Sequence, residues 1–174
     1  NVDAIRFFCT EIYPLILNKI PNCILHVVGS NCPDEVLQLQ SENVKVHGFV
    51  EDLASILQSV KVNLVPLRYG AGIKGKLGGA MAAGLPSVST VLGAEGMAVK
   101  EGVDGVFITD DSQSFANYVI DLSVDEALWN RSSQASLQFA EFNFGAKRLY
   151  DNVAEVFDNL GIDLPEIIDD VVII

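Results

Sequence analysis

Short apolar runs alternate with longer amphipathic stretches along most of this chain. The runs are rich in β-branched residues, and the stretches between them place apolar side chains at helical spacing. Parallel strands need a crossover connection, usually a helix. The alternation therefore predicts an α/β fold, a doubly wound parallel sheet with helices on both faces. The predicted strands are Ile24–Val28, Val44–Phe49, Val62–Leu67, Ser87–Thr90 and Val106–Thr109.

The first predicted helix runs from Asp3 to Lys19, with Asp3 as its N-terminal cap. Pro14 lies inside it and has no backbone N–H to donate, so we expect it to kink or divide the helix. The other predicted helices are Asp34–Gln40, Glu51–Ser59, one through Ala80–Ala83 that stops at Gly84, one that Ser112 caps and that ends near Leu122, and the stretches Asp125–Ala140 and Ala146–Leu160.

With 174 residues the chain fits one domain. We place that domain at residues 1–160 and assign residues 161–174 to a C-terminal tail. The tail ends in Val171–Ile174, whose β-branched composition is typical of a strand.

Composition and charge exclude several classes of partner. The chain has 11 basic and 23 acidic residues and a net charge of -12, so we expect it to bind neither nucleic acid nor an anionic membrane surface. No apolar run approaches the roughly 20 residues that span a bilayer. Charges also interrupt the first apolar pattern, so we expect no integral membrane segment, no secretory signal and a cytoplasmic location. Cys9, Cys23 and Cys32 lack metal-site spacing, which predicts reduced thiols and no bound metal.

The segment from Leu67 to Pro86 is the part of the sequence that indicates chemistry. It consists of the end of a predicted strand, a glycine-rich loop and the start of a helix. Glycines let the backbone approach a ligand closely, and free N–H groups at a helix start attract phosphate. Lys74 and Lys76 add positive charge to an acidic chain. Because ligands of doubly wound sheets bind at the carboxyl ends of the strands, this loop is the predicted anion site.

A P-loop is the first alternative, because Gly70 to Lys76 satisfies the G-x-x-x-x-G-K part of that motif. The next residue is Leu77, where the motif needs a Ser or Thr hydroxyl for Mg²⁺. The position of the loop also argues against this motif, because the loop falls late in the predicted sheet, after three strands. A P-loop is therefore not predicted.

Four segments in a fixed order carry a family resemblance. They are NVDAIRFFCTEIYPLI at the start of the chain, HVVG at His26–Gly29, VHGFVEDL at Val46–Leu53, and the long segment Pro66–Met97. From Asn1 to roughly Tyr150 they resemble the C-terminal half of the glycogen-synthase-like, retaining GT-B glycosyltransferases. The resemblance implies a Rossmann-like domain that binds a UDP-, GDP- or ADP-activated sugar. It further implies transfer of that sugar to an acceptor hydroxyl, with no metal or other cofactor on this domain.

The resemblance also implies which residues contact the nucleotide sugar, although it assigns no catalytic residue. The sugar and diphosphate would lie at Gly70, Ala71 and Gly72, and the diphosphate near Lys74, Lys76 and a helix start at Gly78, Gly79 and Ala80. The nucleobase would lie beside Gly48, Phe49, Val50 and Leu53. The edge of the pocket would be closed by Glu95, Gly96 and Met97.

Two positions depart from the family pattern. The family usually has a glutamate just before the Ala-Met of this helix, where it accepts hydrogen bonds from the ribose, and an acidic residue eight positions earlier. This chain has Gly79 and Ala71 at those positions. Loss of a bidentate charge-assisted contact weakens binding by about 1.5–3 kcal/mol. We therefore expect weaker nucleotide-sugar binding than is usual in the family.

The family also has a strand before the opening segment and an N-terminal acceptor-binding half. We expect this chain to need that half as a partner and to lack a complete active site alone. In the doubly wound order the absent strand would lie between Ile24–Val28 and Val62–Leu67. We expect Val171–Ile174 to fill that slot, within one molecule or by strand exchange in a homodimer. The alternative is a frayed tail with a sheet that closes up or splits.

Two other functions stay open at this point. One is a nucleotide-sugar epimerase half-domain, which would have the same fold. The other is a non-catalytic nucleotide-binding or assembly module, which Gly79 and Ala71 favour.

Several residues outside the motif have structural interpretations. His26 is interpreted as a partly buried strand residue and Trp129 as a helix-packing residue. Asp110 and Asp111 are interpreted as charges at a helix start. For His47 at a predicted strand end, a ligand contact stays open. For Arg68 and Tyr69, a loop-rim position and a ligand contact are both open.

Overall fold

The computed structural model describes residues 1–72 and 74–159. All five predicted strands are present and every pairing is parallel. Each strand is shorter than predicted, because ladder pairing ends before the apolar run does. The strands are β1 (Leu25–Val28), β2 (Val44–Gly48), β3 (Asn63–Val65), β4 (Ser87–Ser89) and β5 (Val106–Ile108).

Helices precede the first strand, connect the strands and follow the last one. They are α1 (Val2–Phe7), a π-helical segment (Phe8–Ile12), α2 (Tyr13–Leu17), α3 (Asp34–Leu37), α4 (Leu53–Ser59), α5 (Gly75–Ala82), α6 (Val91–Ala94), α7 (Ser112–Val124), α8 (Glu126–Phe144) and α9 (Ala146–Asn159).

Several helix starts differ from the sequence prediction. The cap of α7 is Asp111 and not Ser112, because the Asp111 carboxylate accepts the N–H of Ser114 at 2.8 Å. The short helix α6 was not predicted; the hydroxyl of Thr90 caps it by accepting the N–H of Gly93. Helix α5 begins at Gly75, before the predicted start at Gly78–Ala80.

Pro14 divides the first helical region, as predicted. The region changes from α1 to the π-helical segment and then to α2, with Pro14 in the first turn of α2. The N–H of Tyr13 donates to the carbonyl of Phe8, a wider turn than that of an α-helix. Because Pro14 cannot donate, the α-helical pattern has to be interrupted at this point. The prediction that Asp3 caps the helix is wrong, since Asn1 holds the cap position and the Asp3 carboxylate pairs with Arg68.

One apolar core lies against both parts of the sheet. Phe8, Ile12 and Ile16 from the first helical region pack in the same cluster as Val27 of β1 and Val88 of β4. A second cluster forms around α5 and contains Val65, Leu77, Met81, Met97, Val106 and Ala140. A fully buried side chain of this size stabilises a fold by about 1.5–3 kcal/mol. Packing of helical side chains therefore joins the two parts.

The sheet itself is in two parts in the described region. β1 pairs with β2, and β3, β4 and β5 pair in that order, but no ladder joins β1 to β3 among residues 1–72 and 74–159. The parallel α/β class is confirmed, and the sheet is split in these residues, because none of them forms a strand between β1 and β3. The predicted occupant of the gap, Val171–Ile174, and the tail 161–174 lie outside the described residues.

Tyr13 ties the first helical region to the starts of β1 and β2. Its hydroxyl oxygen lies 2.7 Å from the carbonyl oxygen of Cys23 and 2.8 Å from that of Asn43, and it donates to these acceptors. Burial raises the pKa of Tyr13 to about 12, and the neighbouring Cys23 thiol acts in the same direction. A phenolate would lose the donated hydrogen and face two carbonyl oxygens.

We expect Tyr13 to make the fold sensitive to alkaline pH. The pKa of tyrosine is about 10 in an unfolded chain, so the contribution of Tyr13 is complete below pH 10 and is lost as pH rises towards 12. The free energy of unfolding, measured with urea, should fall more steeply over this range in the wild type than in Tyr13→Phe. Tyr69→Phe is the control, because it makes the same substitution at a tyrosine that is 67% exposed. Equal slopes for wild type and Tyr13→Phe would contradict the expectation.

Candidate functional site

The glycine-rich loop connects the end of β3 to the start of α5. Gly70 has a φ of +136° and Gly72 a φ of +102°, values that residues with a Cβ rarely adopt. A Cβ at either position would meet no heavy atom within 4 Å. The backbone path therefore explains the glycines, and the outer side of the loop is open to a ligand.

Lys74 is the lysine at the start of α5. It holds the N-cap position and is 8% exposed, and its carbonyl accepts the N–H groups of Leu77 and Gly78. Neither ion pair within the described part of the chain includes Lys74. Lys76 lies in the first turn of α5 and is exposed. The first amides of a helix have no acceptor within it, so those of Gly75 and Lys76 are the donors available to an anion.

Gly78 and Gly79 lie inside α5, so the predicted helix start at Gly78–Ala80 is wrong, whereas contact of Gly78 with the diphosphate stays a prediction. A Cβ on Gly78 would lie 3.5 Å from the Met97 side chain and 3.6 Å from Phe144, which shows that this face of α5 is packed. Met97 is 8% exposed and belongs to the second apolar cluster. A Cβ on Gly79 would meet nothing within 4 Å. Any contact of Gly79 with a ligand stays a prediction.

Glu95 and Gly96 follow α6 and are exposed. The Thr90 hydroxyl joins this region to the base of the glycine-rich loop, because it donates to the carbonyl of Leu67 at 2.5 Å. The Asp110 carboxylate accepts the first N–H of α6, from Val91, whereas the sequence prediction placed Asp110 at the start of the helix that begins at Ser112. Contact of Glu95 or Gly96 with a ligand stays a prediction.

The predicted nucleobase segment lies at the carboxyl end of β2, in the other part of the sheet. Gly48 has a φ of +68°, and Phe49 and Leu53 are 72% and 47% exposed. Asp52 caps α4 through the N–H of Ser55. No hydrogen bond in the described part joins residues 48–53 to residues 70–76. The contacts of Gly48, Phe49, Val50 and Leu53 with a nucleobase stay predictions.

His26 and His47 form a pair that the sequence had not indicated. Nδ1 of His26 lies 2.9 Å from Nε2 of His47, and the planes of the two rings are nearly parallel, at 8° to each other. Burial lowers the pKa of His26, and the neighbouring His47 and Lys45 act in the same direction. The strand position of His26 is confirmed. Trp129 also has a structural role, since its indole N–H donates to the Lys61 carbonyl.

Arg68 is held by α1, a contact that sequence reasoning missed. Its Nε donates to Asp3 Oδ2 at 3.0 Å, its Nη2 donates to the other carboxylate oxygen, and its guanidinium carbon lies 4.6 Å from the centre of the Phe7 ring. The hydrogen bond from Arg68 holds the pKa of Asp3 below its usual value. No local pattern could have paired residues 65 positions apart.

The surface around Arg68 and the first helical region is shallow. One depression has a volume of about 310 Å³ and is lined by Asp3, Arg6, Phe7, Thr10, Glu11 and Arg68. Among the residues that the structure describes, no group of three or more His, Cys, Asp or Glu side chains could hold a metal ion. Within the same residues, no helix is both long and apolar enough to cross a membrane.

The family model described as glycosyl transferases group 1 matches residues 1–125, which is most of the chain and includes β1–β5 and the glycine-rich loop. The chain belongs to this family. A curated relative, an uncharacterised 44.6 kDa protein in the cps region of Klebsiella pneumoniae, is 20% identical over 163 residues. That alignment covers 88% of this chain and 42% of the relative.

Solved structures of similar fold support the family assignment. The Anabaena protein Alr3699/HepE in complex with UDP matches with a TM-score of 0.68 and 18% identity over 86% of this chain and 45% of that chain. Sucrose-phosphate synthase (tll1590) from Thermosynechococcus elongatus matches with a TM-score of 0.67 and 18% identity over 87% of this chain and 42% of that one. The fold is thus the Rossmann-like half of a GT-B glycosyltransferase. The chain spans less than half the length of these family relatives.

Proposed function

We propose that this chain is the donor-binding domain of a glycosyltransferase and that it holds a nucleoside diphosphate sugar at the glycine-rich loop and the start of α5. The observation that carries the proposal is the arrangement at residues 70–76. Gly70 and Gly72 leave the loop open, and the nearly buried Lys74 stands at a helix N-terminus. The Anabaena structures were obtained with UDP, and with UDP and glucose, which supports a uridine nucleotide as the first ligand to test.

These residues would act on the leaving group. When a sugar leaves a nucleoside diphosphate, negative charge develops on the diphosphate. Fixed positive groups that face this charge stabilise the transition state. Lys74 and the first amides of α5 would supply these groups without a metal ion or other cofactor. We assign binding of the acceptor hydroxyl to the part of the relatives that this chain does not span.

A non-catalytic nucleotide-binding or assembly module is the competing proposal, because Gly79 and Ala71 stand where the family usually has acidic residues. The two proposals differ in what a titration would show. A glycosyltransferase donor domain should distinguish a nucleoside diphosphate from its nucleoside. An assembly module that has lost its donor contacts should bind neither, and a non-catalytic nucleotide-binding module should bind the nucleotide but transfer no sugar.

We expect UDP to bind this chain and Lys74→Ala to weaken that binding about tenfold or more, with little change for uridine. Lys76→Ala should have a smaller effect, because the Lys76 side chain is exposed and its charge is screened by solvent. Calorimetric titration of UDP, GDP, ADP and uridine measures these affinities. Lys19→Ala is the matched control, since it removes one charge from an exposed residue just after α2.

Absence of binding by all three diphosphates would contradict the donor-site proposal. Equal weakening of UDP and uridine by Lys74→Ala would show that Lys74 does not face phosphate. A melting temperature for each variant separates loss of binding from loss of folding, which matters for Lys74 because it is largely buried.

A further inference from the structure

The Arg68 cluster, defined as Asp3, Phe7 and Arg68, joins the glycine-rich loop to the first helix. Asp3 and Phe7 lie four positions apart on α1 and therefore on the same side of it. The Asp3 carboxylate receives two hydrogen bonds from the Arg68 guanidinium, whose other contact is the Phe7 ring. A planar guanidinium held by a bidentate acceptor and an aromatic ring has a fixed orientation.

Arg68 lies two residues before Gly70, where the loop first takes a positive φ. Glycines allow many backbone conformations, so a loop with Gly70 and Gly72 loses considerable entropy when it is ordered. The loop has an anchor at each end of these glycines. Arg68 is fixed by α1 on one side, and Lys74 is fixed by the first turn of α5 on the other. Between them, a Cβ at Gly70 or Gly72 would meet nothing within 4 Å.

We infer that Asp3, Phe7 and Arg68 are positioning residues, which hold the glycine-rich loop in the conformation that binds the diphosphate. The inference rests on the proposed donor site. In this arrangement the Arg68 guanidinium stays bonded to Asp3 of α1 and does not contact the ligand. Both side chains of the ion pair are partly exposed, at 50% for Arg68 and 24% for Asp3, so removing it should change loop order more than global stability.

A direct role for Arg68 is the competing arrangement. In that case Asp3 would compete with the ligand phosphates for the guanidinium. Removal of the Asp3 charge would then free Arg68 and tighten UDP binding. The two arrangements therefore predict opposite effects of Asp3→Asn on the same affinity.

Digestion with chymotrypsin under native conditions tests loop order without any ligand. Tyr69 is 67% exposed and directly precedes Gly70, so cleavage after Tyr69 reports opening of the loop. Asp3→Asn and Phe7→Leu leave the sequence around this bond unchanged. We expect each variant to speed cleavage after Tyr69 about fivefold or more, with no change after the equally exposed Phe49 in the same digest.

The same variants are then titrated with UDP, and we expect Asp3→Asn to weaken binding about threefold or more. Glu35→Gln is the matched control, because Glu35 of α3 is also a carboxylate that pairs with an arginine, Arg6, and that pair contains no residue of the Arg68 cluster. It should change neither cleavage after Tyr69 nor UDP affinity.

Two results would overturn the inference. One is unchanged cleavage after Tyr69 in both Asp3→Asn and Phe7→Leu. The other is tighter UDP binding by Asp3→Asn, which would assign Arg68 to the ligand. If the wild-type chain binds no UDP, the proposed donor site fails, and the digestion alone decides whether the cluster orders the loop.

Discussion

Gly105→Ala is expected to lower the free energy of unfolding by about 3 kcal/mol, which corresponds to a fall in melting temperature of about 6–12 °C. A Cβ at this position would lie 2.2 Å from the carbonyl oxygen of Ser132 and 2.2 Å from Oγ of Ser136. Both contacts belong to α8, where it packs against the start of β5. The φ of +76° adds strain for any residue other than glycine.

Gly102→Ala separates the effect of the close contacts with α8 from the effect of the positive φ. Gly102 has a φ of +68°, and a Cβ there would meet nothing within 4 Å. Its replacement should therefore cost only the backbone strain, about 1 kcal/mol. Thermal and urea unfolding of the two variants give the comparison. Similar losses for Gly102→Ala and Gly105→Ala would mean that close packing of α8 on β5 does not limit position 105.

Gly79→Glu is expected to tighten UDP binding by about 10- to 100-fold. The side chain would stand at the position where the family usually has a ribose-binding glutamate, and nothing lies within 4 Å of the Cβ site. The new carboxylate makes an acidic chain more acidic, which alone would weaken binding of an anion. A gain in affinity would therefore report a specific contact with the ribose hydroxyls.

Gly79→Ala is the control for this experiment, because it gives α5 the same gain in helix propensity without a carboxylate. Gly79→Gln keeps the shape of the side chain and removes its charge. Calorimetry with UDP should place both variants close to wild type. If Gly79→Glu binds UDP no more tightly than Gly79→Ala, position 79 does not face the ribose.

The strands were predictable because each is a short apolar run between helical stretches. Their ends were not, since a strand ends where its partner stops pairing. Val62 and Leu67 continue the apolar run of β3, but only Asn63–Val65 pairs with β4. The start of α5 was placed too late for a different reason. Its glycines suggest a weak helix, yet burial of Leu77 and Met81, both 0% exposed, stabilises the helix from Gly75 onwards.

The candidate site was predictable as a segment and not as a set of contacts. The glycines and lysines between residues 70 and 76 identify the loop, because their chemistry is local. The partner of Arg68 could not be found in this way, because Asp3 lies 65 positions away in the sequence. Its residue type also fits a helix cap, which is the role that the sequence predicted for it. The cap of α7 shows the same limit on a smaller scale, because Asp111 and Ser112 are both good capping residues.

The π-helical segment at Phe8–Ile12 affects how this region can change through evolution. A π turn holds one residue more than an α turn, so it can absorb a single inserted or deleted residue by changing its own hydrogen bonding. Ala4 before it and Ile16 after it are both buried. Both side chains can stay in the core while the number of residues between them changes by one. A gap at this point in a comparison of related chains would therefore mark a change of one backbone turn and not a change of core.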